Sequence, residues 1–584
     1  MNQPDFKRRR MLQRSAQGLG LSSMLAGCGS LSAVMDPPVR DPEVSSSETK
    51  EIKQASGGPQ ASGPQASGPS NKPRSQPEAA LRDRPASAIE APAEADETSN
   101  IERLLLAQMP EVRREFRAAW VASVANIDWP SKPGLSSAAL RTEIDRITSI
   151  SKRTGLNALI VQVRPSADAM YASDFEPSSE FLVGKQGAAL ADGFDPLTYW
   201  IKACKAQGLE FHAWFNPFRA RYGSAKSSFH AKHLAKRHPE LVVKYGNQWW
   251  MNPAEPKALQ WTLSIIEDVV KRYDIDGVHL DDYFYPYPVP MPGGKSSELP
   301  FPDEKQFKTY ESKGGKLSKA DWRRSLVNNM VEHVYERVHQ QKPWVRVGIS
   351  PFGLGKPALR PSGIQGFSQY DQLYADVEHW CDKAWFDYLS PQLYWKIDQK
   401  AQAFDVLLNY WAQRIHHKRH LWPGLFTSAI GQAPRLWTAK EILSQIERQR
   451  MNPSAGGHIH FSMNALLRDR EGIASSLSKD SYVEMSMVPA SPWLSRGKPE
   501  APQQLQADAA GMLRWESPLG SKPWSMHPAR WVLHQRSDAK PGWQISQGDV
   551  ELHPIALKPN HEYVLRLLNR VGESSDAIAF RWKP

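Results

Sequence analysis

At 584 residues the chain is too long for one ordinary domain, so its length predicts two or more folded units joined by linkers. Hydrophobic residues make up 40% and charged residues 23%, as in soluble globular domains, and no apolar run reaches the roughly 20 residues of a membrane-spanning helix. The net charge of +11 is spread along the chain without a basic, aromatic-rich stripe, which argues against nucleic acid and favours a polyanionic wall as partner.

The first residues have the order of an export signal. A basic stretch at residues 7–10 precedes a short apolar segment, Leu19 to Leu25, and then Leu25-Ala-Gly-Cys28, which resembles a bacterial lipobox. We therefore predict a signal peptide over residues 1–28, with Cys28 lipidated. Residues 8–13 are also similar to a twin-arginine signal, so export by the Sec or the twin-arginine route stays open. Gly29 in place of Asp after the cysteine predicts an outer-membrane lipoprotein facing the periplasm.

Residues 29–110 are rich in Pro, Ser, Ala, Gln and Gly and have no hydrophobic periodicity. Such a composition cannot bury enough surface to fold, so we predict a disordered tether. Beyond it, Cys204 and Cys381 lie in helical patterns. We predict two buried free thiols, with a disulfide between them as the alternative. The sequence shows no metal-binding cluster, and we predict neither a metal nor a cofactor.

From residue 111 to 485, short β-rich runs alternate with amphipathic helical stretches, which is the pattern of a parallel sheet built from βα units. Apolar stripes such as Leu140, Ile144 and Ile147 indicate the helices, and Thr438 with Glu441 resembles a capping box. Eight runs can be counted, which predicts a (β/α)8 barrel. The predicted strands are Phe116 to Ser123, Asn157 to Arg164, Leu209 to Asn216, Ile275 to Asp281, Trp344 to Ser350, Phe386 to Tyr394, His420 to Phe426 and Gly456 to Ser462.

Within these strands, residues two apart share a face, and the apolar face must meet the helices. The other face then points into the barrel and is unusually polar. Its predicted members are Gln162, Arg164, His212, Trp214, Asn216, Gly277, His279, Asp281, Arg346, Ser350, His458, His460 and Ser462. Barrel enzymes place their sites at the C-terminal strand ends, so this convergence predicts a catalytic pocket there.

Glycosidic cleavage needs two carboxyl groups, one to protonate the leaving oxygen and one to act as nucleophile or base. Asp281 lies on the inward face at the end of the fourth strand and is the candidate nucleophile or base. Three residues compete for the second role. Asp282 follows directly, and Asp303 and Glu304 lie in the long loop after the strand.

Sugar rings have apolar faces and polar rims, so their sites combine flat aromatic side chains with amides. The chain contains 21 Trp, and several aromatic residues fall at barrel-loop positions, Trp129 among them. The predicted substrate-binding residues are Arg164, His212, Trp214, Asn216, Tyr283, Tyr285, Gln392, Tyr394 and Trp395.

Five motifs in order carry a family resemblance. They are Phe116-Arg-Ala-Ala-Trp-Val-Ala-Ser123, His212-Ala-Trp-Phe-Asn-Pro-Phe-Arg219, Asp276-Gly-Val-His-Leu-Asp-Asp-Tyr-Phe-Tyr-Pro286, Gly348-Ile-Ser-Pro-Phe-Gly353 and Asp387-Tyr-Leu-Ser-Pro-Gln-Leu-Tyr-Trp395. Together they resemble the glycosyl hydrolase-like ten family over about residues 111–482. The resemblance implies hydrolysis of peptidoglycan glycan strands, particularly strands without stem peptides, at the division site. The fourth strand is also similar to the chitinase signature, although Tyr283 stands where that signature has its catalytic Glu.

Residues 497–584 predict a small all-β sandwich. The segment from Leu557 to Tyr563 resembles the tyrosine corner of fibronectin type III domains, and such a module could bind glycan or a septal partner. Two functional alternatives stay open. One is hydrolysis of an exopolysaccharide such as partly de-acetylated poly-glucosamine, and the other is a non-catalytic glycan-binding lipoprotein.

Overall fold

A computed structural model describes residues 95–291, 297–433, 436–516, 523–537 and 539–583. The predicted signal peptide, Cys28 and most of the predicted tether lie outside these residues. No helix within the described ranges is long and apolar enough to cross a membrane.

Eight parallel strands form the main sheet, as predicted. They are β1 (Phe116–Val121), β2 (Ala158–Arg164), β3 (Glu210–Phe215), β4 (Gly277–Leu280), β5 (Arg346–Ile349), β6 (Tyr388–Leu389), β7 (His420–Leu421 and Gly424–Leu425) and β8 (Gly457–His460). Each strand pairs in register with the next, for example Trp120 with Ile160 between β1 and β2, and His212 with Gly277 between β3 and β4.

The sheet closes through β7. Its first half pairs with β6 at Tyr388 and His420, and its second half pairs with β8 at Gly424 and Ile459. Because β8 also pairs with β1, the ring is complete and has no free edge. This architecture confirms the (β/α)8 barrel.

Helices surround the barrel. Their bounds are Ser137–Thr154, Glu180–Val183, Pro196–Ala206, Leu234–Arg237, Pro256–Arg272, Glu304–Ser312, Lys319–Gln341, Gln369–Gln372, Val377–Lys383, Phe404–Ala412, Ala439–Met451, Met463–Leu467 and Ile473–Ser476. The predicted stripe of Leu140, Ile144 and Ile147 is buried, and the Thr438 hydroxyl accepts a bond from Glu441 N at 3.3 Å, as the predicted capping box requires. The segment after β3 contains a short antiparallel sheet, whose strands are Arg219–Arg221, Val242–Tyr245 and Gln248–Met251.

The alternation predicted for β3, β4 and β5 agrees with the structure, but the alternation predicted for β8 is wrong. His458 and His460 face the helix layer, where His458 contacts Gln449 of Ala439–Met451 and both contact the Tyr482 hydroxyl. Ile459 packs with the barrel interior instead. Polar partners in the outer layer satisfy the two histidines, so their polarity did not mark the inner face.

The C-terminal region is all-β, as predicted. One antiparallel sheet contains β9 (Gln503–Ala507), β10 (Met512–Glu516) and β13 (Ile555–Ala556); the other contains β11 (Arg530–Ser537), β12 (Lys540–Asp549), β14 (His561–Leu568) and β15 (Ile578–Trp582). A shared core that includes Leu513 and Leu565 lies between them. The Tyr563 hydroxyl bonds to the Lys558 backbone, as a tyrosine corner does, while the fibronectin type III likeness stays a prediction.

This β-module contacts the base of the barrel, where the strands begin. Arg530 lies 3.2 Å from Glu210 at the start of β3 and 3.6 Å from Asp276, which precedes β4. Trp524 packs on Trp344, just before β5. The C-terminal strand ends, where the site is predicted, are therefore at the opposite end of the barrel.

The predicted tether ends too late. Residues Ala95–Gln108 form a helix, and Leu105 packs with Val564 and Ala579 of the β-module. Leu105, with the partly buried Met109 packed beside it, gives this segment an apolar surface that docks, although the preceding composition is that of a linker. Cys204 and Cys381 are both buried and free, which excludes the disulfide alternative.

Candidate active site

Asp281 follows β4 directly and its carboxylate is surrounded by N–H donors. Trp214 Nε1 donates to Oδ2 at 3.0 Å and Asn216 Nδ2 donates to the same oxygen at 3.1 Å. The backbone N–H of Tyr283 approaches Oδ1 at 3.4 Å. Trp214 and Asn216 stand two apart at the end of β3, so the period-2 spacing of that strand builds the receptor for this carboxylate.

Burial raises the pKa of Asp281 to about 7; Arg219 and the Trp214 bond oppose the rise, and neighbouring Asp282 adds to it. The hydrogen bonds favour the ionised form, because an indole N–H, an amide NH2 and a peptide N–H cannot accept a proton. A proton on Asp281 would point at donors. Asp281 is therefore a carboxyl group whose ionised form is favoured by its hydrogen bonds and opposed by burial.

Asp282 is also buried, but its surroundings differ. The Tyr287 hydroxyl donates to Oδ2, and the Gln392 side chain from the end of β6 bonds to the same carboxyl group. Burial raises the pKa of Asp282, and these two bonds oppose the rise. A hydroxyl can accept as well as donate, so Tyr287 is compatible with a protonated Asp282. Burial thus favours the protonated form of both carboxyl groups, and an acid–base couple needs one of them protonated.

A row of half-buried aromatic side chains borders Asp282. Tyr283 meets Tyr287 at a ring distance of 5.6 Å, and Tyr287 stacks on Phe367 at 5.1 Å. Phe352 continues the row, 5.0 Å from Phe367 and 5.5 Å from Trp395. We call these five side chains the aromatic wall. Its members come from the loops after β4, β5 and β6, the part of the barrel where flat, partly exposed rings can face a sugar.

The other predicted aromatic residues divide between rim and core. Tyr394 is half-buried and stacks on Phe426 at 4.9 Å, near the wall but not part of it. Tyr285 is buried against Phe301 and Tyr374, and Trp129 is buried against Trp200 of the helix layer. We therefore do not retain Tyr285 and Trp129 as sugar contacts, because neither ring is open to a ligand.

Asp303 lies in a buried ion pair. Arg323 Nε donates to its Oδ2 at 2.7 Å, Arg323 Nη2 reaches Oδ1 at 2.5 Å, and Lys319 lies 3.2 Å away. Glu304 is largely exposed and pairs with Lys319. A carboxylate held by a bidentate arginine makes a poor proton donor, so Asp282 is the strongest of the three competitors for the second role.

The Arg164 side chain bonds to protein groups and does not face the open pocket. A register shift at the end of β2 directs its guanidinium to Glu176, with Nε–Oε2 at 2.9 Å and Nη2–Oε1 at 2.7 Å. Its Nη1 donates to Asn216 O at 2.8 Å. Arg164 therefore fixes the chain that carries Asn216, and it acts on the site through that residue instead of contacting a ligand.

His212 belongs to a chain of hydrogen bonds across the barrel interior. Trp120 Nε1 donates to His279 Nε2 at 3.1 Å, which leaves His279 Nδ1 to donate to the Tyr388 hydroxyl at 3.0 Å. Tyr388 then donates to His212 Nδ1 at 3.0 Å, and His212 Nε2 donates to Glu210 at 3.2 Å. This chain forms the floor below Asp281, and it places His212 too deep for substrate.

The charge at the end of that chain is balanced at the barrel base. Arg346 Nη1 lies 3.1 Å from Glu210, which also receives Arg530. Burial opposes ionisation, but Arg346 and His212 hold the pKa of Glu210 below its ordinary value. Burial lowers the pKa of His279 well below its usual range, which keeps that ring neutral. Sequence reasoning missed Glu210 and Tyr388. Glu210 shares the inward face that was predicted for β3, whereas no inward face was predicted for β6.

Comparison with known proteins identifies the family of this chain. A family model described as Glycosyl hydrolase-like 10 matches residues 115–439, more than half of the chain. The chain belongs to the glycosyl hydrolase-like 10 family. Glycosyl hydrolase YngK of Bacillus subtilis (strain 168) is 40% identical over 398 residues, which cover 67% of this chain and 76% of that protein. Residues 115–439, which the family model matches, contain strands β1 to β7 and both aspartates.

One further relative and one solved structure are also similar to this chain. Glycosyl hydrolase DigH of Escherichia coli (strain K12) is 29% identical over 374 residues, covering 59% of this chain and 82% of that protein. The PgaB (BpsB) glycoside hydrolase domain from Bordetella bronchiseptica has a TM-score of 0.42 and 12% identity, and the match covers 65% of this chain and all of that domain. The family assignment makes this chain a glycoside hydrolase built on a (β/α)8 barrel.

Proposed function

We propose that this enzyme cleaves peptidoglycan glycan strands, in particular strands without stem peptides, and that it does so at the division site. The observation that carries the proposed chemistry is the buried pair of Asp281 and Asp282 at the C-terminal end of β4, beside the aromatic wall. A glycan bound along that wall would present its apolar ring faces to the aromatic side chains and its glycosidic oxygen to the pair.

In this proposal Asp281 is the nucleophile or base and Asp282 is the acid. The N–H donors around Asp281 support a carboxylate that attacks carbon or activates water, depending on how far apart the two carboxyl groups lie. Asp282 protonates the departing oxygen, and Tyr287 and Gln392 hold its carboxyl group in place.

The polymer is proposed from the sequence. A net charge of +11 favours a polyanionic wall, and the predicted lipid on Cys28 would place the enzyme at the outer membrane, facing the periplasm. We propose that the β-module leaves the open end of the barrel free for a long strand, because its contacts are at the barrel base.

Purified enzyme should release soluble fragments from peptide-free glycan strands, less from intact peptidoglycan, and none from partly de-acetylated poly-glucosamine. Asp281→Asn should abolish release while circular dichroism remains that of the wild type. Asp303→Glu, which keeps a carboxylate facing Arg323, is the matched control and should retain activity. If only poly-glucosamine is cleaved, the proposed substrate is wrong and the exopolysaccharide is the substrate. Binding of glycan without any cleavage would favour a non-catalytic role.

Anchoring has a separate test. In cells, the wild-type protein should incorporate labelled fatty acid and sediment with outer membranes, whereas Cys28→Ala should do neither. Septal enrichment of the wild type would support the division-site proposal, and uniform distribution around the envelope would contradict it.

A further inference from the structure

Arg219 is a buried cation next to the two aspartates. It lies just after β3, only 2% of its surface is exposed, and its backbone N–H donates to Asn216 Oδ1 at 2.9 Å. The same Asn216 side chain donates to Asp281 through its other end. One amide therefore fixes both the arginine and the carboxylate, so their relative positions are set by the end of a single strand.

The guanidinium of Arg219 has few partners of its own. Within the described chain its Nη1 makes one long bond, 3.4 Å to Pro165 O, and its buried Nε has no hydrogen-bond partner. Its Cζ lies 4.1 Å from the centre of the Tyr283 ring, and that ring follows the aspartate pair in sequence. A buried charge is destabilising unless an opposite charge lies nearby, and the Asp281–Asp282 pair can provide that opposite charge.

We propose that Arg219 is a positioning residue that keeps the Asp281 carboxylate in its ionised, reactive form. The assignment rests on the role proposed above for Asp281. Arg219 reaches the pair as a through-space charge held on the Tyr283 face, so it supports ionisation without occupying the oxygens that must react. A bidentate ion pair, such as the one on Asp303, would instead block them.

The groups that face Asp281 make Arg219 the main source of positive charge. Among the described residues, several charged or titratable side chains lie near this carboxylate. They are Arg219 after β3, Asp282 and Tyr283 directly after β4, Tyr287 in the following loop, and His279, which lies two residues before Asp281 in β4. Burial keeps His279 neutral, and Asp282 can only repel a second negative charge. Arg164, which donates to Asn216 O, is already paired with Glu176, so loss of Arg219 leaves no unpaired cation among the groups named here to oppose burial.

Infrared difference titration tests this without requiring turnover. The spectrum of each protein minus that of its own Asp281→Asn variant reports the protonated Asp281 carboxyl group. Arg219→Gln and Arg219→Met should move the titration midpoint upward by about 1 pH unit or more, as expected for a lost opposite charge. Arg219→Lys should stay within about 0.5 unit of the wild type. Arg221→Met is the matched control, since Arg221 bonds to Ala225 O and lies over Phe229, and it should not move the midpoint.

On a cleaved glycan, the acid limb of the kcat/KM profile should move with the infrared midpoint, so that activity at pH 6 falls roughly tenfold in the neutral variants. An unchanged midpoint in Arg219→Gln would overturn the proposal. Loss of folding in both neutral variants, with Arg219→Lys folded, would assign a structural role and would also overturn it. If no glycan is cleaved but the midpoint moves, the proposed function fails while the effect of Arg219 on Asp281 holds.

Discussion

The buried Asp281 should make the protein less stable at high pH, and its replacement should reveal by how much. Burial raises the native pKa of Asp281 to about 7, whereas an unfolded aspartate titrates near 3.9. A carboxyl group whose native pKa is raised contributes stability below its unfolded pKa, and that contribution is lost as the pH rises to the native pKa. Asp281→Asn removes this titration, so the stability of the variant relative to the wild type should increase with pH.

The size of the change follows from the proton count. Between pH 5 and pH 7 the native Asp281 stays mostly protonated while the unfolded one is ionised, so the native state binds about one proton more. The free energy of unfolding of the wild type therefore falls with each unit of pH by the amount that corresponds to one proton. At about 1.36 kcal/mol per unit, the loss from pH 5 to pH 8 is about 2.6 kcal/mol. New contacts of the amide at position 281 do not depend on pH and cancel in this difference.

Urea unfolding of both proteins at pH 5 and pH 8 measures the quantity directly. The free energy of unfolding of Asp281→Asn minus that of the wild type should be about 2.6 kcal/mol more positive at pH 8 than at pH 5. Asp303→Asn is the contrasting variant, because it strands Arg323 and should cost about 3–5 kcal/mol at both pH values. A difference for Asp281→Asn that is constant or decreases with pH would refute burial as the dominant influence.

Three other variants test separate contacts. Tyr287→Phe removes a bond that holds down the pKa of Asp282, so the alkaline limb of the kcat/KM profile should rise by about 1 pH unit; an unmoved limb would exclude Asp282 as the acid. Gly348→Ala places a methyl group inside the Tyr388 ring and should cost about 3 kcal/mol or more in urea unfolding, whereas Gly542→Ala, in open space, should cost less than about 1. Arg530→Met leaves carboxylates at the barrel base without this cation and should lower the unfolding free energy by about 2–4 kcal/mol, and an unchanged value would show that the β-module does not stabilise the barrel.

The barrel could be predicted because its signal is repeated eight times. Each strand carries its own short apolar run, and the helices between them have their own period, so an error in one element does not change the whole. The alternation in β8 failed because polarity alone marked His458 and His460 as inward. Pairing decides the face instead, since Ala118 of β1 aligns with Ile459 and both point into the barrel.

The site was predictable only where strands carry it. Trp214, Asn216 and Asp281 follow from period two, because they lie at strand ends that pair side by side. Arg219 begins the short strand Arg219–Arg221 after β3 and Tyr287 lies in the loop after β4, so the spacing along the barrel strands gives no direction for either side chain. The same limit led to Asp303, whose loop position resembles that of a catalytic acid until its contact with Arg323 is known.

The adjacency of Asp281 and Asp282 is the least expected feature of the site, since neighbours in a strand point to opposite faces. Here the regular strand ends at Leu280, so both aspartates lie beyond the pleat and their directions are set by side-chain partners. Asp281 is drawn to donors from β3, and Asp282 to Tyr287 and the end of β6. Two chemically identical residues thereby receive different surroundings, one that can only donate protons in hydrogen bonds and one that can also accept. Under the assignment proposed above, that asymmetry favours ionisation of Asp281 and allows Asp282 to carry a proton, which would let consecutive residues take different roles in one reaction.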